Sequence, residues 1–233
     1  MGTEFTIMVE RDFDSTTQRL WQAVTVDAAA WLFPTDGMVG TELVSEPPTH
    51  HINRMEGPDG WFNQLEQVIS PLAGDRSHMR WVHSGVFDDA GEAQEEGVHQ
   101  HTVFYLHTLN EYLVHFDGRP VVFVDVQAPT ASTAPDAFER LRSAFGLDAG
   151  SAAGQTALVE LPGVSPAGAV VDYAGEHFIG LRSADTLLRF FGRNAFGGPV
   201  GMTVHHFGSQ TAEALEQEWT DWLTALYAEN SRA

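Results

Sequence analysis

The sequence predicts an α+β protein of two fused units, each pairing an antiparallel sheet with a long helix at its C-terminal end. Three observations carry this. Residues 40–88 break into short segments of mixed apolar and polar residues, separated by Pro47-Pro48, Gly57-Pro58 and Gly74-Asp75, the pattern of strands joined by tight turns. A long helical stretch follows and ends at Gly118, with Leu106, Leu109, Leu113 and Phe116 on one stripe. From Arg119 the order strand, helix, strands, long helix recurs in shorter form, so the expected units are 1–118 and 119–233. Residue identity between the halves is too weak to establish a repeat; the likeness is one of order.

Residues 4–13 alternate around Phe5, Ile7 and Val9 as a half-buried strand does. Ser15 and Gln18 form a capping box, hydroxyl and amide satisfying each other's free backbone donors, which opens a helix through Leu20 and Val24. A short helix is expected from Asp27 to Leu32, stopped by Pro34. Four strands then make a meander (GTELVSE, HHINRME, FNQLEQVIS, SHMRWVHSGVF), which is the surface available to the long helix. Glu95 and Glu96 stand at that helix's start, where carboxylates complement the macrodipole. In the second half RPVVFVDVQAP reads as a strand, and Ser132 to Pro135 opens a helix carrying Phe138, Leu141 and Phe145. Residues 148–156 are small and polar and read as a loop. TALVEL, AVVDYA, EHFIGLRS and GMTVHHFG read as strands, and DTLLRFFGRN fits helix or strand. The last element places Leu215, Trp219, Trp222 and Leu226 on one helical face.

Composition excludes more than it assigns. The 233 residues contain no cysteine and no lysine, all 12 basic residues being arginine. Disulfides, thiol nucleophiles, Cys-ligated metals, Schiff-base lysines and phosphate-loop lysines are therefore excluded. The net charge of −20, of which −13 falls in residues 1–120, opposes binding to nucleic acid or anionic membranes. No basic start with an apolar run and no membrane-length apolar stretch is present, so a cytoplasmic location is expected.

The eleven histidines are the residues left for chemistry. His107, Glu111 and His115 share a helical face at i, i+4 and i+8, but that face lies opposite Leu109 and is expected to point to solvent. The adjacent pairs His50-His51 and His205-His206 lie in strands, where neighbours point to opposite faces, so neither pair chelates alone. His99 and His101 stand near the helix start, within reach of a cavity mouth. Gly163-Val164-Ser165-Pro166-Ala167 is one residue from a nucleophile elbow, yet it lies between strands rather than at a strand-to-helix turn. Arg189 and Arg193 flank a glycine-containing loop and could hold an acidic group of a ligand, internal ion pairing being their more ordinary role. No metal and no cofactor is expected. The aromatic set says more: alternation puts Met79, Trp81, His83 and Phe87 on one strand face and Arg80, Val82 and Ser84 on the other. Were the Trp81 face to meet the Leu109 face, aromatic rings and one imidazole would line a pocket. Plain core packing is the alternative.

The strand followed by a helix with Trp21, then AAAWLFP with Trp31 and Phe33, resembles the opening of the SRPBCC or START-like superfamily, also called helix-grip. Within it the sequence is most similar to relatives of the activator of the ninety-kilodalton heat-shock chaperone's ATPase, through MRWVHSGVF, GVHQHTVFYLHTLNEYL, EHFIGLRS and FFGRNAFGG. The resemblance spans nearly the whole chain, and the order of its motifs is more specific than any one of them. It implies a curved sheet round a long C-terminal helix, an apolar cavity between them, and a hydrophobic small-molecule partner such as a lipid or polyketide. The candidate ligand-binding residues are Trp31, Phe33, Trp81, His83, His101, Leu109 and Leu113. The leading expectation is non-enzymatic binding; the alternatives are a polyketide-cyclase type of enzyme with His83 or His101 as general base, and a stress or chaperone-interaction protein with a filled pocket. No match to the activator's chaperone-binding N-terminal domain is found, which counts against a chaperone partner, and a homodimer is left open.

Overall fold

The computed structural model describes residues 2–35, 40–87, 92–147, 150, 153–159 and 167–228. The chain divides into two compact units, Met1–Asp117 and Gly118–Ala233, both α+β with an open antiparallel sheet and C-terminal helix of the helix-grip type.

The first unit runs β1 (Thr3–Phe13), α1 (Thr17–Thr25), β2 (Thr41–Glu46), β3 (His50–Glu56), β4 (Phe62–Pro71), β5 (Ser77–Phe87) and α2 (Glu92–His115). Its sheet order is β1-β5-β4-β3-β2: the four-strand meander closes with β5 against the N-terminal strand. Phe5, Ile7 and Phe13 of β1 are buried as the alternation predicts; α2 packs on β1, and α1 on β4 and β5. The cap of α1 is Thr16, whose Oγ1 accepts from Arg19 N at 3.2 Å, so the Ser15–Gln18 box does not form. One residue's shift puts an arginine where the box needs Glu or Gln. Arg19 instead reaches across to Asp27 (2.7 Å), Asp117 and the Tyr112 hydroxyl (2.8 Å), tying α1 to the C-terminal end of α2. The helix expected over Asp27–Leu32 is a single 3-10 turn, Ala28–Ala30.

The polar side of α2 departs from expectation. Phe104 and Thr108, on the side that carries His107, Glu111 and His115, are fully buried, and Glu111 sits with little exposure 3.9 Å from His107 Nε2 and 3.6 Å from His115 Nε2. The helix is buried on more than one side, which a single apolar stripe does not reveal.

The second unit runs β6 (Val122–Gln127), α3 (Ala137–Ala144), β7 (Thr156–Val159), β8 (Ala167–Ala174), β9 (Phe178–Arg182), β10 (Thr186–Phe191), β11 (Gly201–His206) and α4 (Ala212–Tyr227). The ambiguous DTLLRFF stretch is strand β10, and the sheet order is β6-β11-β10-β9-β8-β7. Strand β11 lies inside the sheet and is buried along its whole length, so His205 and His206 are both enclosed despite facing opposite ways. Thr211 caps α4 by accepting from Ala214 N, and Leu215, Trp219, Trp222 and Tyr227 are buried against the sheet and α3. The filling is aromatic: Phe145 stacks on Trp222 at 5.3 Å, and Trp219 meets Phe190 and Trp222 edge-on. Arg189 of β10 is not a ligand holder. Its Nη1 donates to both oxygens of Asp172 at 2.9 Å in an almost fully enclosed pair. Asp172 sits at a register shift in β8, and Gly180 of β9 lies between the two strands. A methyl group on Gly180 would collide with Asp172 Oδ1 and Arg189 Nη1, which is why that position has no side chain. Arg193 lies over the Phe191 ring. The Ser165 motif lies outside the described residues.

Candidate functional site

The first unit encloses a cavity of about 630 Å³, within the range of small-molecule sites. Its floor is a patch of sheet. Side chains two residues apart on a strand share a face, so β3 presents His51, Asn53 and Met55, β4 presents Asn63, Leu65 and Gln67, and β5 presents Trp81 and His83. The register aligns these into rows: His51 opposite Gln67 and then Trp81, Asn53 opposite Leu65 and then His83, Met55 opposite Asn63 and then Gly85. Gly85 leaves room for the Phe5 ring, which a Cβ there would strike. The outer face of the same strands takes the charges, with His50 Nε2 2.9 Å and Arg80 Nη2 3.8 Å from Glu66.

The roof comes from α1 and the segment after it (Val24, Thr25, Ala28, Trp31, Leu32, Phe33 and Thr35) and from the N-terminal half of α2. Val98, His101, Thr102, Tyr105 and Leu106 follow i, i+3, i+4, i+7, i+8, one helical face. Trp31 is fixed by donating its indole N–H to the Ala23 carbonyl at 2.9 Å and meets Trp81 edge-on at 6.0 Å. Phe33 meets Tyr105 edge-on at 6.4 Å.

The candidates Trp31, Phe33, Trp81, His83 and His101 thus stand together around one cavity. Leu109 and Leu113 do not line it. Leu109 lies on the same stripe as Leu106 but about 4.5 Å further along the helix axis, fully buried near the end where Arg19 ties α1 to Tyr112, and Leu113 lies further still. His99 is exposed and outside the lining. Sequence reasoning missed His51, Asn53, Asn63, Gln67 and Glu42. Alternation within HHINRME and FNQLEQVIS could have grouped each strand's share, but placing the two shares side by side needed the register.

Three imidazoles behave differently. His83 is pushed down to about 4 by burial, so its ring is neutral near pH 7, and its Nε2 has no hydrogen-bond partner among the described residues. His51 is held on both sides, Nδ1 2.8 Å from Gln67 Oε1 and Nε2 3.3 Å from Glu42 Oε2. His101 Nδ1 donates to the Gly97 carbonyl at 2.7 Å, which places the proton on that nitrogen. Among the described residues no cluster of three or more His, Asp or Glu suits a metal ion, and no helix is long and apolar enough to cross a membrane. Among the described residues the interior of the second unit is a packed apolar cluster, and a shallow cleft at Asp136, Arg140 and Leu226 is open to solvent.

No family model matches the sequence, and no curated protein does. Solved structures match at low identity. Protein MLL2253 from Mesorhizobium loti is 18% identical over 48% of this chain and 99% of its own, with a TM-score of 0.41. DynU16, from the dynemicin biosynthetic locus, is 15% identical over 95% of this chain and 96% of its own, with a TM-score of 0.37. The Aha1 dimer from Colwellia psychrerythraea is 13% identical over 47% of this chain and 96% of its own, with a TM-score of 0.38.

Proposed function

We propose that the first unit binds a hydrophobic small molecule without transforming it, and that the second is a packed companion. The observation that carries this is the cavity of about 630 Å³ between sheet and helices, bounded by Trp31, Phe33, Trp81, Tyr105 and aliphatic side chains with a few hydrogen-bonding groups among them. Apolar walls supply affinity in proportion to the area taken from water, and scattered polar groups fix orientation. A cavity of this volume weighs against a pocket filled by its own side chains, as the interaction-protein reading requires. The cyclase reading asks for a base with a pKa near the working pH; His83, at about 4, is too weak a base for that role, which leaves that reading to His101 alone.

Native mass spectrometry of protein from its own host, with thermal shifts against a panel of lipids and polyketides, tests the reading. A co-purified ligand, or a rise in melting temperature with a panel member, is expected. No ligand and no shift would end it.

A further inference from the structure

Of the 21 described residues lining the cavity, none is a permanent cation: the chain has no lysine, and no arginine is among them. All five arginines of the first unit are committed elsewhere. Arg19 is tied to Asp27 and Asp117, Arg76 to Asp12 and Asp14, Arg54 to Glu56 with its guanidinium over the Phe62 ring, and Arg80 lies toward Glu66. Arg11 lies over the Phe13 ring. Strand alternation is the cause for Arg54 and Arg80, which sit next to cavity residues Asn53, Met55 and Trp81 and so must face away. Among the described lining residues the one carboxylate, Glu42, is already set against His51. His83 adds no charge near neutral pH, since burial holds it neutral. The floor offers carboxamides instead: among the described residues no side-chain hydrogen bond engages Asn53 or Asn63, and each presents both a donor and an acceptor. The surroundings agree in sign, with 19 acidic and five basic side chains in residues 1–117.

From this geometry we infer, resting on the binding role proposed above, that the cavity selects uncharged apolar molecules bearing hydroxyl or carbonyl groups and rejects anionic amphiphiles such as carboxylates. A carboxylate entering would leave water without meeting a cation, the arrangement that costs most on burial. A carbonyl or hydroxyl of the same shape would meet the Asn53 and Asn63 amides.

Isothermal titration of the full chain at pH 7.5 with 2-acetylnaphthalene and 2-naphthoate, near-isosteres differing in charge, tests this. The ketone is expected to bind, and the carboxylate at least about 100-fold more weakly. Asn53→Arg, which places a guanidinium on the floor, should narrow or invert that ratio. If this variant does not fold, the wild-type ratio still decides. Naphthoate binding as tightly as the ketone would overturn the charge selection while leaving the binding role standing. Failure of both probes to bind would count against the binding role itself and take this inference with it.

Discussion

Replacing His83 with leucine should make the protein more stable than the wild type at pH 5 while changing little at pH 7.5. The side chain faces the cavity from β5, touches the Phe5 ring edge-on at 5.1 Å, and has no hydrogen-bond partner on Nε2 among the described residues. Burial lowers its pKa from 6.5 to about 4. Well above pH 6.5 the ring is neutral folded or unfolded, and titration contributes little. As pH falls from 6.5 toward 4 the unfolded chain takes up a proton that the folded ring refuses, so stability drops. With those two values the loss from this group between pH 7.5 and pH 5 is about 2 kcal/mol. For a unit of this size that corresponds to a melting temperature on the order of 5–10 °C lower. Leucine cannot titrate and fills a similar volume, so His83→Leu should lack this part of the decline. Calorimetric or circular-dichroism melts of both proteins at pH 7.5, 6.5, 5.5 and 5.0, without ligand, measure the difference in slope. All other groups are common to both proteins, so their contributions cancel in the comparison. Parallel stability curves across this range would refute the assignment of a neutral, enclosed imidazole.

Two further substitutions probe the two interiors. Gly180→Ala should destabilise the second unit by roughly 3 kcal/mol or more, because the added methyl meets the enclosed Asp172–Arg189 pair; urea unfolding followed by the α4 tryptophans reads it, and an unchanged midpoint would show that the strands yield instead. Trp31→Phe removes the bond to the Ala23 carbonyl and part of the roof, and should cost about 2–3 kcal/mol in urea unfolding. It should also weaken binding of any cavity ligand, measured by titration calorimetry.

Much of the first unit can be read from the chain. Phe5, Ile7 and Phe13 alternate as a half-buried strand must, and the face of β5 carrying Trp81 and His83 follows from period two alone. The Leu106–Leu109 stripe gives the inward side of α2 but not where along it the cavity stops, because helical periodicity carries direction and not depth. Nor does the stripe show that Phe104 and Thr108, on another side of the helix, are equally buried. The α1 cap fell one residue from the expected place because Ser15 and Thr16 offer the same hydroxyl, and only the backbone path chooses between them.

By itself the sequence determined which chemistry is absent: without lysine or cysteine, no thiol, lysine nucleophile or Cys-bound metal could appear. It also determined which face of each strand turns inward, since that follows from local geometry. Tertiary structure alone decided that His51, Asn53, Asn63 and Gln67 share one floor, and that the first unit is hollow while Phe145, Phe190, Trp219 and Trp222 fill the second. The reason is that register and depth are set by residues far apart in the chain, where no local pattern can specify which neighbour a side chain meets.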